Sequence, residues 1–205
     1  ATLRWWCLQE RGGSNPLLRT VKQKIKINKK KLRKLTLSEN HFLSLASSII
    51  YQQISTEAGN SIYKKFSSLF GKKKPEPKIF LKFSDSQLKS AGISPQKSGY
   101  LKDLALKFLD QTIDSKNFSK MSDSEIKEHL MQVKGIGPWT ADMFLIFALN
   151  RVDVLPVGDL GTKKGFQKAF KLKKLPDEKM MEKLAQPHKG ERTLLTLHLW
   201  QILDE

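Results

Sequence analysis

Val133-Lys134-Gly135-Ile136-Gly137-Pro138-Trp139 lies between two stretches that read as helices, and the reading of the fold starts there. Upstream, residues 122 to 131 place Ile126 and Leu130 on one face, with Ser122 or Ser124 as the cap. Downstream, Thr140 to Leu149 is nearly all apolar, the pattern of a helix buried on most sides. Two glycines around one apolar residue make a tight turn: Gly135 and Gly137 can take positive φ and let another backbone come close, while Ile136 plugs the junction. The amides that open the second helix, backed by the positive end of its dipole, then suit a phosphate. A Gly-x-Gly by itself often marks only a packed turn between helices. Its setting, in a strongly basic chain, favours the phosphate reading.

The remaining sequence repeats the helical rhythm. Phe42, Leu45, Ala46, Ile49, Ile50 and Gln53 recur at i, i+3, i+4 and i+7, with Ser38 and Asn40 as plausible caps. A second helix is expected from Thr56 to about Leu69, followed by an exposed loop from Lys72 to Pro77. Pro95 stands in the first turn of another helix, with Tyr100, Leu101, Leu104, Ala105, Phe108 and Leu109 as its stripe. Two helices close the chain, near residues 177 to 185 and 193 to 203. No stretch alternates with period two, so the expected class is all-α.

The 205 residues suit one domain or two small lobes. Lys and Arg number 37 against 20 Asp and Glu, a formal charge of +17, so a polyanionic partner is expected. Residues 22 to 34 hold eight basic residues and no acid, a solvated face or a phosphate contact. The lone Cys7 excludes an internal disulfide framework and a four-cysteine metal site. The longest apolar run, Met143 to Leu149, is too short to cross a bilayer, and no secretory signal is read. Trp5-Trp6 and the Gly12 to Pro16 stretch suggest an apolar anchor and a turn, and Cys7 a small buried group.

Asp159, twenty residues after Trp139, is on local grounds either a helix N-cap or a functional carboxylate. Here the residues Val133 to Asp159 resemble the helix-hairpin-helix/Gly-Pro-Asp superfamily of DNA glycosylases, in particular the 3-methyladenine DNA glycosylase II branch of bacteria and yeasts. Further matching stretches are residues 41 to 55 with their Gln-Gln-Ile-Ser turn, 92 to 101, and 192 to 200. The similarity covers roughly residues 35 to 203.

The resemblance implies a two-lobed helical fold with a cleft between the lobes: residues 1–50 plus 160–205 in one, 51–159 in the other, and the hairpin at about 122–149. It implies a monofunctional DNA glycosylase of base-excision repair that hydrolyses the N-glycosidic bond of alkylated purines in duplex DNA after base flipping. The alternative is a catalytically weak or inactive damaged-DNA binder with the same fold.

By the same resemblance Asp159 is catalytic. Trp139, Trp200, Tyr51 and Met143 line the base pocket, Met143 standing where bacterial relatives often carry an aromatic residue. Gln53, with Gln52 and Ser55, wedges the stack from the minor groove. Lys134, Gly135, Gly137, Thr140, Lys163 and Lys164 meet phosphates. Main-chain carbonyls of Met131, Val133 and Ile136 hold a structural Na+ or K+, with no cofactor for catalysis. Bifunctional relatives carry a lysine where Trp139 stands, so no lyase step is implied. Without the resemblance, the tryptophans read equally as core aromatics and Gln53 as a polar helix end. The expected partner is duplex DNA with alkylated bases or abasic sites, and the expected state is a monomer with no membrane association. The expected location is the nucleus in a eukaryote, with Lys29-Lys30-Lys31 as a weak signal, or otherwise the cytoplasm or nucleoid.

Overall fold

The computed structural model of the chain describes residues 24–28, 32 and 34–204. The readings of Trp5-Trp6, Cys7, Gly12 to Pro16 and Lys29 to Lys31 lie outside them. Among the described residues every regular element is helical, as the periodicity predicts. The α-helices are α1 His41–Tyr51, α2 Thr56–Ser68, α3 Pro77–Phe80, α4 Asp85–Ser90, α5 Pro95–Leu109, α6 Asp123–Met131, α7 Pro138–Phe147, α8 Leu160–Ala169, α9 Glu178–Ala185 and α10 Arg192–Asp204. A 3-10 turn spans Gln186–His188. None of these helices is long and apolar enough to cross a membrane.

Contacts divide the chain into two compact units: Arg33–Pro156, and the described residues on either side of it. The sequence reading placed residues 34 to 50 with the chain ends and residues 157 to 159 in the central lobe, and the contact units reverse both. The buried stripe of α1 (Phe42, Leu45, Ile49, Ile50) packs on α5, where Leu101, Leu104 and Ala105 are fully buried, and α1 also touches α2 and α7. Apolar area decides the assignment, because that stripe finds its complement on the central helices. Phe42, Phe66, Phe80 and Phe83 extend this core in edge and tilted ring pairs. His41 lies between Phe118 and Phe144, at centroid distances of 5.3 and 5.8 Å. The expected loop to Pro77 is cut short, since Pro77 opens α3.

Local chemistry sets the helix starts. Asn40 caps α1 through the Leu43 N–H, and Ser122 forms a full capping box with Glu125 at α6. Arg151 donates to the carbonyl of Met121 at 2.9 Å and pairs with Asp123 at 3.3 Å. It thereby fastens the segment after α7 to the entry of α6. Asp142, buried within α7, receives the Lys127 ammonium of α6 at 2.7 Å. Burial raises the Asp142 carboxyl and the Lys127 contact opposes that rise. The two arms of the hairpin are therefore joined by a charge pair as well as by apolar packing.

In the terminal unit, α8 lies on α10 with almost no gap. A Cβ on Gly165 would sit 2.6 Å from the Leu199 carbonyl oxygen. His188 is fully buried, and its Nε2 accepts the Ile25 N–H at 3.0 Å. An accepting Nε2 requires a neutral ring protonated at Nδ1. Burial, reinforced by the Lys24 charge and opposed by Glu191, holds the imidazole below its ordinary range. A lowered imidazole pKa stabilises the fold fully above the unfolded value of about 6.5, and that stability is lost as pH falls toward the folded value. His41, also lowered by burial, acts with the same sign. The unfolding free energy should therefore decline as pH drops from 7 to about 5.5. In denaturant titrations across that window, His188→Gln should show a visibly shallower slope, and an unchanged slope would refute the assignment.

Candidate functional site

The hairpin forms as expected, with one glycine in a different role. Gly135 has φ +83°, and a Cβ there would lie 2.2 Å from Cδ2 of the Tyr100 ring. Only glycine fits both demands, and the close neighbour is a side chain rather than another backbone. Gly137 does not take positive φ: at φ −103° and ψ 178° it is the extended N-cap of α7. The space beside its Cα is open, and no side chain caps the α7 amides. That opening suits an anion approaching a helix start.

The flanking groups hold this turn firmly. The Lys134 N–H donates to Asp103 Oδ2 at 2.8 Å, leaving the exposed Lys134 side chain as that residue's remaining route to a phosphate. Burial alone would raise the Asp103 carboxyl, but the Lys134 amide and the Lys107 ammonium hold it below the usual carboxylate range. Thr140 is buried and its Oγ1 faces Gln52 Nε2 at 3.5 Å, so its side chain points inward rather than toward a phosphate. The Val133 carbonyl accepts the Ile136 N–H at 3.0 Å, which uses one of its lone pairs and leaves the second. The hard carbonyl oxygens of Met131, Val133 and Ile136 are chemically suited to a monovalent cation.

Beside the hairpin lies a cavity of about 920 Å³, wholly within the central unit. Tyr51, Gln52, Gln53, Trp139 and Met143 line it together with Ser47, Ser48, Lys97 and Tyr100. Trp139 is 48% exposed, unusual for so large an apolar group, and core packing does not account for it. Tyr51 is held by its hydroxyl, which donates to Asn60 Oδ1 at 2.6 Å, and by its ring, which lies against Gly59. Gln52 turns inward and donates to the Gly135 carbonyl at 2.8 Å. It joins the end of α1 to the hairpin, while Gln53 is exposed. Ser55 caps α2 through the Ala58 N–H.

Gln53 sits at φ +57°, the left-handed conformation that normally selects glycine after a helix end. A non-glycine side chain there costs about 1 kcal/mol. Gln53 therefore holds its side chain against local conformational preference, as do Gln111, Asn150 and Lys171 elsewhere in the chain. Gln53→Gly should leave the fold intact or stabilise it by up to about 1 kcal/mol, measured by urea unfolding. A clear loss of stability would mean that Gln53 is a structural residue.

In the terminal unit Asp159 is indeed the N-cap, of α8, and it is more than a cap. Its Oδ2 accepts the Thr162 N–H at 2.6 Å, the Thr162 hydroxyl at 2.9 Å and the Trp200 indole N–H at 2.7 Å. Trp200 reaches it because α8 and α10 approach closely through Gly161 and Gly165. A Cβ on Gly161 would lie 3.0 Å from both Asp159 Oδ2 and Trp200 Cδ1. This four-residue glycine spacing went unread in the sequence, although Gly161-Thr162-Lys163-Lys164-Gly165 carries it openly. Lys163 and Lys164 lie in the first turns of the same helix. Among the described residues no group of three or more His, Cys, Asp or Glu side chains could hold a metal.

The model of the HhH-GPD superfamily base excision DNA repair protein family matches residues 46–189. The chain is 38% identical over 176 residues to the DNA-3-methyladenine glycosylase of Saccharomyces cerevisiae, covering 82% of this chain and 59% of that protein. The match thus spans less than two thirds of that relative's length. It is 35% identical over 157 residues to the alkylbase DNA glycosidase-like protein mag2 of Schizosaccharomyces pombe, covering 75% of this chain and 74% of that protein. The structure is similar to the 3-methyladenine DNA glycosylase Mag1 of Schizosaccharomyces pombe, solved in complex with abasic DNA. The TM-score is 0.74 at 26% identity, over 92% of this chain and 90% of that one.

Proposed function

This chain belongs to the HhH-GPD superfamily of base excision DNA repair proteins, and we propose that it is a monofunctional DNA glycosylase that releases alkylated purines from duplex DNA. The observation that carries the reading is the Asp159 carboxylate, fixed through one oxygen by three donors at the start of α8. Hydrolysis of an N-glycosidic bond builds positive charge on the sugar, and a preorganised carboxylate stabilises that charge without reorganising. An alkylated purine is already cationic and leaves readily, so one carboxylate suffices where other glycoside hydrolysis uses two. The C1′–N bond breaks with its electrons passing to the base, and water adds to C1′ and loses a proton. The products are the free base and an abasic site.

The central unit supplies most of the binding steps. Duplex backbone meets the uncapped start of α7 with Lys134, and Lys163 and Lys164 of α8 add further phosphate contacts. Carbonyls of Met131, Val133 and Ile136 would hold a monovalent cation that adds positive charge beside a phosphate. Gln53 fills the gap left by the everted nucleotide, and flipping costs a few kcal/mol. Trp139 and Tyr51 offer aromatic faces to the cationic base, worth about 0.5–2 kcal/mol per contact. Met143 adds a flexible apolar wall. Trp139 provides no amine for a Schiff base, so the strand is not cut. The protein acts as a monomer, without membrane association, in the nucleus where the source is a eukaryote and in the cytoplasm or nucleoid otherwise. Likeness to two yeast proteins supports a eukaryotic source.

Asparagine caps a helix as well as aspartate does, so Asp159→Asn separates the structural role from the catalytic one. We expect a melting temperature near wild type and excision of 7-methylguanine from methylated DNA reduced by about 100- to 1000-fold. Retained excision would reduce Asp159 to a cap. Tight abasic-site binding by a wild-type protein that frees no base would replace the enzyme by a damaged-DNA binder.

A further inference from the structure

Lys97 occupies a position that its own helix does not favour. It lies in the first turn of α5, whose N-cap is Ser94, so its charge meets the positive end of that helix dipole. It is also partly buried, and burial lowers the ammonium from its ordinary range. What offsets these penalties lies across the cavity at the other end of a helix. Lys97 Nζ donates to the Ile50 carbonyl at 2.7 Å and the Gln52 carbonyl at 2.8 Å. These carbonyls belong to the last turn of α1 and its C-cap, and that turn has no basic residue of its own. A cation at a helix C-terminus satisfies orphan carbonyls and complements the dipole there.

The residue joined to the Gln52 carbonyl is Gln53, at φ +57°. Holding that carbonyl fixes the plane of the peptide leading into Gln53, and so constrains the conformation that glycine would normally fill. We propose that Lys97 is a positioning residue for the wedge: its ammonium clamps the end of α1 and keeps Gln53 projecting from the strained turn. The inference rests on the reading of Gln53 as the side chain that enters the base stack. Gln52, bound to the Gly135 carbonyl, ties the same turn to the hairpin, so phosphate grip and wedge are held at a fixed spacing.

The test uses the full chain and a duplex carrying 2-aminopurine opposite a tetrahydrofuran abasic site, where fluorescence reports unstacking of the orphaned base. At saturating wild-type protein the signal should rise. Lys97→Met should lose that rise to the extent that Gln53→Ala does, and should lower the single-turnover excision rate about tenfold with little change in KM. Lys97→Arg, which retains a cation with several donors, should restore most of both. Adding Lys97→Met to Gln53→Ala should cause no further loss, since the two act on one event. If Lys97→Met fails to fold, Lys97→Gln, which removes the charge and shortens the reach to the two carbonyls, carries the same comparison. Wild-type fluorescence from a folded Lys97→Met protein, or losses that add to those of Gln53→Ala, would overturn the proposal. Should the wild type unstack the orphaned base yet release none, the enzyme reading fails while the fluorescence still judges Lys97. If the wild type leaves the orphaned base stacked, the wedge and its clamp both fall.

Discussion

Three donors on one carboxylate oxygen are the constraint around which the terminal unit is organised. Asp159 Oδ2 is held by the backbone and hydroxyl of Thr162 and by the indole of Trp200. The first two contacts follow from helix capping, since the residue before a helix accepts from its first turn. The third depends on tertiary packing. It exists because Gly161 and Gly165 let α8 approach α10 until Leu199 lies against the α8 backbone. A side chain at either glycine would push the helices apart and detach the indole from the carboxylate. Local capping and helix packing therefore converge on the same oxygen, which is what electrostatic preorganisation requires.

The central unit meets a different demand, a rigid turn that still leaves a helix start open. Gly135, pressed by Tyr100, and the Asp103 contact to the Lys134 amide fix the hairpin from beneath. The Asp142–Lys127 pair and the buried Ile136 join its two helices. All of this leaves the approach to Gly137 clear. The neighbouring turn at Gln53 shows the same logic in reverse: local strain is accepted and a distant lysine holds it. In both places the scaffold carries the cost of a feature that does not serve folding.

Much of this was legible in the residues. The stripes of α1, α5 and α6 and the apolar α7 set their positions, and Asn40, Ser94 and Ser122 set their starts. The four residues of α3 and six of α4 are too few to show a period, so they went unseen. The placement of α1 with the central helices depended on which stripe it covers, and a linear pattern does not name its partner. Asp159 stood out through the family resemblance of residues 133 to 159, but its contact with Trp200 spans 41 residues and follows only from the packing of α8 on α10. The inward turn of Thr140 and Gln52, and the left-handed state of Gln53, are likewise tertiary outcomes. Their residue types alone would suit a surface equally well.

The central claim is that a fixed negative charge meets a developing positive one on the sugar. Affinity for duplex DNA carrying a cationic aza-sugar, set against the neutral tetrahydrofuran analogue at one salt concentration, measures this directly. The account predicts that the wild type prefers the cationic sugar by about 10- to 100-fold and that Asp159→Asn abolishes the preference. Equal affinity of the wild type for both duplexes would contradict it.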